Sequence, residues 1–318
     1  MGLGTYGVLD LMTGYQPAAT LTAAARLGVF DALETSSLSD ADVAALCRTE
    51  PLATRALLDS LVGLGLLARD GELYAGTEDS ARLCVAGDLR LVAEKEAFLA
   101  RVWLELEESV RTGEPRLDPW TSRLASNPAQ ARSFLEALVV LADTTGPDLT
   151  SVIPEGASVV DLGGGLGAYA APLSTAGRSV TLVDLPPVAE WAREVLPSSV
   201  SVLPVDLLAP SAPSSIGDGY DVALLSHLLH DLTDEDCLTV LSLARSVLRP
   251  GGRVVVFELP GDPPGSFGPL FDLMMRVETA GRARRTDELV DLMRLAGLSG
   301  VEVSPSHPRP HGVLTGKA

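Results

Sequence analysis

The chain has 318 residues, of which 46% are hydrophobic, and it carries a formal net charge of −18 at pH 7. A chain of this length and composition can bury one or two sizeable cores, which excludes a disordered protein. The negative charge repels the phosphates of nucleic acid and anionic lipid surfaces. We therefore expect no nucleic acid and no membrane as partners.

Cys47, Cys84 and Cys237 are scattered along the chain without the spacing of metal ligands. Their odd number favours unpaired thiols in a reducing compartment over a disulfide framework. The first twenty residues contain neither Lys nor Arg, and every run of eighteen residues contains a charge or a turn former. These features predict a cytoplasmic protein without a secretory signal or a membrane span.

The pattern from Leu21 to about Leu67 predicts three short helices. The first is Ala-rich and reaches Leu33, the second has Ser39 as its N-cap, and Pro51 opens the third.

A hairpin should follow, because Asp70-Gly71 suits a type I′ turn between two short runs of strand character. Three helices and a hairpin are typical of a winged helix, a unit that often reads DNA. Residues 1–90, however, contain six Arg and no Lys against twelve acidic residues, which gives a net charge of −6. This balance argues against a DNA-binding regulator.

Two longer helices are predicted next, from Leu89 to about Thr112 and from Pro128 to Thr145, the second with Asn127 as its N-cap. Both are apolar along one face.

After Gly146 the sequence alternates β-branched runs with helical segments, which is typical of βα units and a mostly parallel sheet. We predict an α/β fold class, with a mostly helical region over residues 1–146 and an α/β domain over residues 147–318. The predicted strands are Ser158–Leu162, Ser179–Val183, Val200–Val205, Tyr220–Ser226 and Gly252–Glu258.

A glycine-rich loop over residues 161–168, Asp-Leu-Gly-Gly-Gly-Leu-Gly-Ala, stands where the first of these strands gives way to a helix. Asp184 ends the second strand. Its spacing along the chain from the glycine-rich loop is the one expected for an acid that binds the hydroxyls of a ribose. A purely structural turn is the alternative. Because Asp161 would oppose the pyrophosphate of a dinucleotide, the loop favours S-adenosylmethionine, which has no phosphate.

His230 follows the fourth strand and should lie at the carboxyl edge of the sheet, where ligands of α/β folds bind. Methyl transfer from the sulfonium of S-adenosylmethionine to a hydroxyl group requires removal of the hydroxyl proton. An imidazole with a pKa near ~6.5 suits that task. His230, Glu258 and Asp231 also allow interpretations without a catalytic role. His230 would then be a surface histidine, Glu258 an acid that faces water, and Asp231 a charge at a helix start. His227 lies close to His230, but the two straddle a strand end, so we expect no metal.

These motifs, in this order, resemble the small-molecule O-methyltransferase family of plants and actinobacteria. The stretches that carry the resemblance are Asp161–Gly167, Val183–Pro186, His230-Asp231, Asp234-Glu235 and Pro250–Gly252, with Ala23–Phe30 and Leu64–Leu67 in the N-terminal part. The resemblance implies a Rossmann-like class I methyltransferase domain preceded by a winged-helix dimerisation domain. It further implies S-adenosylmethionine as cofactor, a homodimer, and a small natural-product acceptor methylated at a hydroxyl.

The resemblance also implies roles for single residues. His230 is the general base, and Glu258 and Asp231 are the carboxylates beside it. The cofactor residues it implies are Asp161, Gly163, Gly165, Gly167, Asp184, Leu185, Asp206, Leu207 and Ser226, the last at a position where relatives often have a basic residue. The substrate wall it implies consists of Phe134, Leu138, Phe271, Met274 and Met275, each of which also suits an ordinary core position.

Two departures from the family pattern stand out. The second catalytic Glu is missing, because the corresponding turn, residues 281–286, reads Gly-Arg-Ala-Arg-Arg-Thr. Leu232 occupies a place where relatives commonly have Trp. Methylation at carbon or nitrogen, or a non-methylating relative that keeps the cofactor site, therefore stand as alternatives.

Overall fold

The computed structural model describes residues 4–262, 267–304 and 312–318. It divides into two compact units, Met1–Arg101 and Val102–Ala318. The functional division expected at residue 146 stays a prediction. No helix in the described part of the chain is both long enough and apolar enough to cross a membrane.

The first unit is mostly helical and carries a small antiparallel sheet of strand order β1-β3-β2. Its elements are α1 (Gly4–Thr13), α2 (Tyr15–Leu27), α3 (Val29–Ala32), β1 (Leu38–Ser39), α4 (Asp40–Cys47), α5 (Pro51–Gly63), β2 (Leu67–Asp70), β3 (Leu73–Gly76) and α6 (Glu78–Ala81). Ser39 caps α4 by accepting from the Asp42 backbone N–H, and Pro51 opens α5, so both predictions are confirmed. Helices followed by a hairpin confirm the winged-helix pattern.

The Ala-rich helix predicted to reach Leu33 is wrong in one respect. Gly28 adopts a left-handed conformation (φ 79°) that ends α2 and starts α3 as a separate turn. The hairpin is confirmed, but its turn is displaced by one residue. Asp70 pairs with Leu73, so Gly71 and Glu72 form the loop. Only Gly71 has positive φ (59°), as in a type II′ turn rather than the type I′ turn expected.

The second unit contains a seven-stranded sheet of order β6-β5-β4-β7-β8-β10-β9. Its strands are β4 (Ser158–Leu162), β5 (Ser179–Asp184), β6 (Val200–Pro204), β7 (Tyr220–Ser226), β8 (Leu248–Glu258), β9 (Ser299–Val303) and β10 (Gly312–Lys317). Helix α7 (Arg90–Trp103) spans the boundary between the two units. The helices after it are α8 (Leu106–Thr112), α9 (Trp120–Ser126), α10 (Pro128–Thr145), α11 (Ala170–Thr175), α12 (Pro186–Val195), α13 (Ala212–Ile216), α14 (Asp234–Ser246), α15 (Phe267–Glu278) and α16 (Thr286–Leu295).

The five predicted strands are confirmed, with one early start. β8 begins at Leu248 instead of Gly252, and its pairing with β7 shifts register beside Tyr220. The antiparallel strands β9 and β10 were not predicted. The single helix predicted from Leu89 to Thr112 is wrong, because Glu105 (φ −97°, ψ 8°) interrupts it and Leu104 is 85% exposed. Without burial at that point, packing does not hold the helix continuous.

The chain order of the strands creates the site. β4 pairs in parallel with β5 on one side and β7 on the other, so the strand order reverses at β4. Ligands of open α/β sheets bind at the carboxyl ends of strands beside such a reversal. Leu162 pairs with Val183, which brings the glycine-rich loop next to Asp184.

Candidate active site

The glycine-rich loop leaves β4 with three glycines at positive φ, namely Gly163 (74°), Gly165 (58°) and Gly167 (84°). A Cβ at Gly163 would lie 2.9 Å from the Leu228 side chain, so there is also little room for any side chain at that position. At Gly165, by contrast, a Cβ would meet nothing within 4 Å. The loop therefore presents bare backbone to an open space, which allows a ligand to approach closely.

Asp161 is fully buried beneath this loop, and neither carboxylate oxygen has a hydrogen-bond partner in the described chain. Burial, reinforced by the charge of Asp184, raises the pKa of Asp161 to about 7. A buried carboxylate without partners is costly unless a ligand supplies donors or positive charge. The chemistry of this position suits an ammonium group.

Asp184, at the end of β5, accepts hydrogen bonds from the backbone N–H of Gly165 at 2.8 Å and of Leu185 at 2.7 Å. Burial raises the pKa of Asp184 to about 6, against the lowering effect of these two bonds. Each carboxylate oxygen retains a lone pair that can accept from a hydroxyl. Asp184 is therefore fixed at the carboxyl edge of the sheet and keeps spare acceptor capacity.

The remaining expected cofactor residues end the neighbouring strands. Asp206 and Leu207 follow β6, where Asp206 is exposed and accepts from the Leu208 N–H at 3.0 Å. Ser226 is buried at the end of β7. The fold thus collects these residues at the same edge as the glycine-rich loop.

His230 lies in a short 3-10 turn, Leu229–Asp231, between β7 and α14. Its ring Nδ1 is 2.6 Å from Oε2 of Glu258, the last residue of β8, and the two side chains are 12% and 3% exposed. Glu258 Oε1 accepts from the backbone N–H of Leu229 at 2.7 Å and of His230 at 3.3 Å. Glu258 is therefore buried and engaged with His230, and the alternative that it faces water is wrong.

The charges around His230 decide its protonation. Burial alone would lower the pKa of His230, but the adjacent Glu258 carboxylate outweighs it, with smaller effects from Asp231 and Glu278, and raises the pKa to about 9. Burial would raise the pKa of Glu258, but the imidazole holds it below its usual range. The Glu258 carboxylate therefore favours the protonated form of the imidazole.

Asp231 lies outside α14, which begins at Asp234 with Thr233 as its N-cap. The carboxylate Oδ2 of Asp231 accepts from the indole Nε1 of Trp120 at 3.3 Å. Burial raises the pKa of Asp231, against the lowering effect of His230 and of this bond. The interpretation of Asp231 as a charge at a helix start is therefore wrong.

The turn that lacks the second family Glu has a structural task instead. Arg284 is buried and donates to the carbonyl oxygens of Leu229 at 2.6 Å and Leu232 at 2.9 Å, and also pairs with Asp234. Gly281 packs against the backbone of His230 so closely that a Cβ would overlap the His230 carbonyl oxygen. This turn therefore fixes the segment that carries His230.

A second buried carboxylate is nevertheless present near His230. Glu278, at the end of α15, is only 6% exposed and acts electrostatically on both His230 and Arg123. Sequence patterns do not indicate Glu278, Trp120, Arg123 or Arg284 as residues of this site. For Glu278, the available sequence signal is its position as an acid at the end of a helix with an apolar face, α15.

The expected substrate wall is only partly brought to His230. Phe271 packs its ring edge-to-face on His230, with centroids 5.2 Å apart, and Met275 is buried beside it in the same cluster, with Met274 partly buried. Phe134 is buried and packs edge-to-face on Trp120 at 5.7 Å. Leu138 is 39% exposed.

His227, His230 and Glu258 hold potential metal-ligand atoms within 4.8 Å of one another. Two of these atoms, His230 Nδ1 and Glu258 Oε2, already form the 2.6 Å hydrogen bond. A metal would have to break that contact, and the expectation of no metal stays a prediction.

Comparison with known proteins agrees with this arrangement. A family model described as an O-methyltransferase domain matches residues 135–299, and one described as an O-methyltransferase dimerisation domain matches residues 9–86. The chain is 30% identical, over 96% of its length and 93% of the relative's, to the 3-hydroxy-5-methyl-1-naphthoate 3-O-methyltransferase of Streptomyces sahachiroi. It is 29% identical, over 92% of its length and 91% of the relative's, to the phenazine-1-carboxylate N-methyltransferase of Pseudomonas aeruginosa.

Among solved structures, human N-acetylserotonin methyltransferase in complex with SAM is similar to the whole chain, with a TM-score of 0.86 and 26% identity over 100% of this chain and 99% of that chain. The fold agrees with a helical dimerisation domain followed by an α/β methyltransferase domain. The cofactor of such enzymes is S-adenosylmethionine. The chain belongs to the O-methyltransferase family and is an S-adenosylmethionine-dependent methyltransferase.

Proposed function

We propose that this protein methylates a hydroxyl on an aromatic small molecule of secondary metabolism, with His230 as the general base. The observation that carries the proposal is the 2.6 Å contact between His230 Nδ1 and Glu258 Oε2. Because Glu258 binds Nδ1–H, the neutral imidazole presents Nε2 as its proton acceptor. Glu258, and Asp231 beside it, stabilise the imidazolium that forms when the hydroxyl proton is taken up.

The residues around the glycine-rich loop fit the cofactor. When bound, S-adenosylmethionine supplies an electrophilic methyl group on a positively charged sulfur. The unpartnered carboxylate of Asp161 suits the cofactor's ammonium group, and the open backbone at Gly165 admits its methionine part. The spare lone pairs of Asp184 suit ribose hydroxyls. We assign the further cofactor contacts to Gly163, Gly167, Leu185, Asp206, Leu207 and Ser226.

An aromatic acceptor is supported by the rings near His230. Phe271 packs on the imidazole, and we assign it, Met274, Met275, Phe134 and the more exposed Leu138 to the acceptor wall. Methionine suits adaptable apolar pockets. The naphthoate and phenazine-carboxylate acceptors named for the two relatives are planar aromatic molecules, which supports the same class here.

Methylation at nitrogen is the second candidate, and one observation favours it. With a pKa raised to about 9, only a minor fraction of His230 is neutral at neutral pH and able to accept a proton. A neutral amine or ring nitrogen attacks through its own lone pair and needs no prior proton removal. The phenazine relative is an N-methyltransferase.

A homodimer is proposed from the N-terminal part. The dimerisation model covers residues 9–86, and α1 buries none of its own residues in the chain. Its large apolar side chains are exposed, with Tyr6 at 84%, Leu11 at 70% and Met12 at 68%. An apolar helix of this kind fits a contact with a second copy.

We place the protein in the cytoplasm, without nucleic acid or membrane as partner. Cys47, Cys84 and Cys237 are free thiols, which supports a reducing compartment. The net charge of −18 supports the absence of polyanionic partners.

The experiment that tests the function is an acceptor comparison with methyl-deuterated S-adenosylmethionine, read by mass spectrometry. A naphthol and the matching naphthylamine differ only in the accepting atom. Transfer of the deuterated methyl group to the naphthol supports the proposal. Transfer only to the amine supports the N-methyltransferase candidate. If neither they nor a wider panel of hydroxylated aromatics is labelled although the cofactor binds, the non-methylating alternative replaces both.

A further inference from the structure

Arg123 lies on α9 next to the segment that carries His230. Its guanidinium stacks over the Trp120 ring, 4.1 Å from the ring centroid, and lies 5.0 Å from the Phe134 centroid. Trp120 in turn donates its indole N–H to Asp231, the residue that follows His230. Two aromatic rings therefore hold this guanidinium beside the proposed acceptor site, in an orientation that favours cation–π contact.

One nitrogen of this guanidinium lacks a hydrogen-bond partner among the described residues. This nitrogen, Arg123 Nη2, is also buried. A guanidinium carries only donors, and a buried donor left without an acceptor is unfavourable.

Three carboxylates act electrostatically on this guanidinium. Burial lowers the pKa of Arg123, and the charges of Asp231, Glu278 and Asp118 oppose that effect. These charges favour the charged guanidinium, while the donor Nη2 is left for a ligand.

The rings near Arg123 and His230 suit a flat acceptor. Trp120 and Phe134 meet edge-to-face next to Arg123, and Phe271 meets the His230 ring edge-to-face at 5.2 Å. An acceptor that places a hydroxyl at His230 and an anionic oxygen at Arg123 would use both the spare donor and the base.

We propose that Arg123 binds a carboxylate of the acceptor, so that the preferred substrate class is a hydroxylated aromatic carboxylic acid. The inference rests on the proposed function, because it places this carboxylate relative to the hydroxyl that His230 deprotonates. A planar guanidinium fork matches carboxylate geometry, and a charge-assisted bond at a buried nitrogen is strong. The protein's net charge of −18 opposes an anion at long range, but such interactions fade beyond a Debye length of about 8 Å.

The test compares a hydroxynaphthoic acid with its methyl ester and its carboxamide, using wild-type protein, Arg123→Met and Arg123→Lys. Methionine keeps the apolar packing against Trp120 and removes every donor, whereas lysine keeps the charge and removes the fork. For the acid we expect Arg123→Met to raise KM roughly 10- to 100-fold with little change in kcat, the loss expected for one hydrogen bond to a charged group. Arg123→Lys should fall between, and KM for the ester and carboxamide should stay within about 3-fold of wild type.

A second readout does not depend on turnover. Calorimetry with S-adenosylhomocysteine present should show the acid binding to wild type more tightly than the ester, and this preference should disappear in Arg123→Met. Unchanged affinity for S-adenosylhomocysteine alone shows that the variants are folded.

The outcomes separate the two proposals. Equal effects of Arg123→Met on acid, ester and carboxamide overturn this inference, because Arg123 then only balances Asp231 and Glu278. Absence of methyl transfer by wild type to all three acceptors, with no binding of the acid, overturns the proposed function and this inference together. Transfer to the ester and the acid with equal KM in wild type overturns this inference alone.

Discussion

Glu258 holds His230 at two points, through the ring Nδ1 at 2.6 Å and through the backbone N–H at 3.3 Å. The carboxylate therefore fixes both the orientation of the imidazole and the turn that carries it. Because Glu258 is the last residue of strand β8, the position of the His230 ring follows from the sheet.

Replacing Glu258 with Gln keeps the shape and removes the charge. We expect Glu258→Gln to lower kcat for a hydroxyl acceptor about 100-fold, within the range that general-base catalysis contributes. Affinity for S-adenosylhomocysteine should stay close to wild type, because Glu258 is absent from the cofactor loop. Glu302→Gln, an exposed acid on β9, is the matched control. Equal kcat in Glu258→Gln and the control would refute the role of Glu258.

The raised pKa of His230, about 9, predicts the pH dependence of the free protein. Titration of the ring protons by NMR, with the signal assigned by its loss in His230→Asn, should give a midpoint well above the usual ~6.5. In Glu258→Gln, burial acts without the opposing charge, and the midpoint should fall to or below that value. The stability that protonated His230 contributes is present below about pH 6.5 and lost as the pH rises through about 9. A midpoint near 6.5 in wild type would contradict the ion pair.

Asp161 predicts that cofactor binding depends on pH. Its pKa is raised to about 7, and the cofactor's ammonium prefers the ionised carboxylate. Affinity for S-adenosylhomocysteine, measured by calorimetry, should therefore rise as the pH increases toward 7 and level off above it. Asp161→Asn should bind more weakly and lose most of this dependence, whereas the exposed Asp218→Asn should behave as wild type. Full affinity and unchanged pH dependence in Asp161→Asn would contradict the assignment.

Gly281 predicts sensitivity to a single methyl group. A Cβ there would overlap the His230 carbonyl oxygen, so Gly281→Ala should displace the turn and reduce kcat by 10-fold or more, since small displacements at a reacting centre cost about that much or more. Cofactor affinity should change little. Gly63→Ala is the control, because a Cβ on that helical glycine meets nothing within 4 Å. Wild-type kcat in Gly281→Ala would show that the turn does not position His230.

The exposed apolar side chains of α1 predict the oligomeric state. Wild type should sediment as a dimer, and the double variant Leu11→Glu with Met12→Glu should shift toward monomer, because burying two carboxylates in an apolar contact is costly. The exposed Leu295→Glu on α16 is the control. A wild-type monomer, or a double variant that stays dimeric, would contradict the α1 interface.

Much of the site follows from local sequence patterns. The strand ends, the glycine-rich turn and the caps at Ser39 and Asn127 depend on near neighbours in the chain, and these predictions are confirmed. The placement of Asp161 beside Asp184 also follows, because parallel pairing of consecutive βα units brings their ends together.

Sequence patterns do not show which residues that are far apart in the chain pack together. Trp120 reaches Asp231 across 111 positions, and Arg284 reaches Leu229 across 55. No periodicity indicates that Arg284 would bind carbonyl oxygens, or that Glu278 would be buried near His230. The helix break at Glu105 also has no local signal in the sequence, because neither Gly nor Pro stands at that position.

The most direct test is the ratio of two rates in His230→Asn, with kcat measured for a naphthol and for the matching naphthylamine. General-base catalysis predicts that the variant loses roughly 100-fold or more with the naphthol and little with the amine, whose lone pair needs no base. An equal loss with both acceptors, or full activity on the naphthol, would contradict His230 as the base that removes the hydroxyl proton.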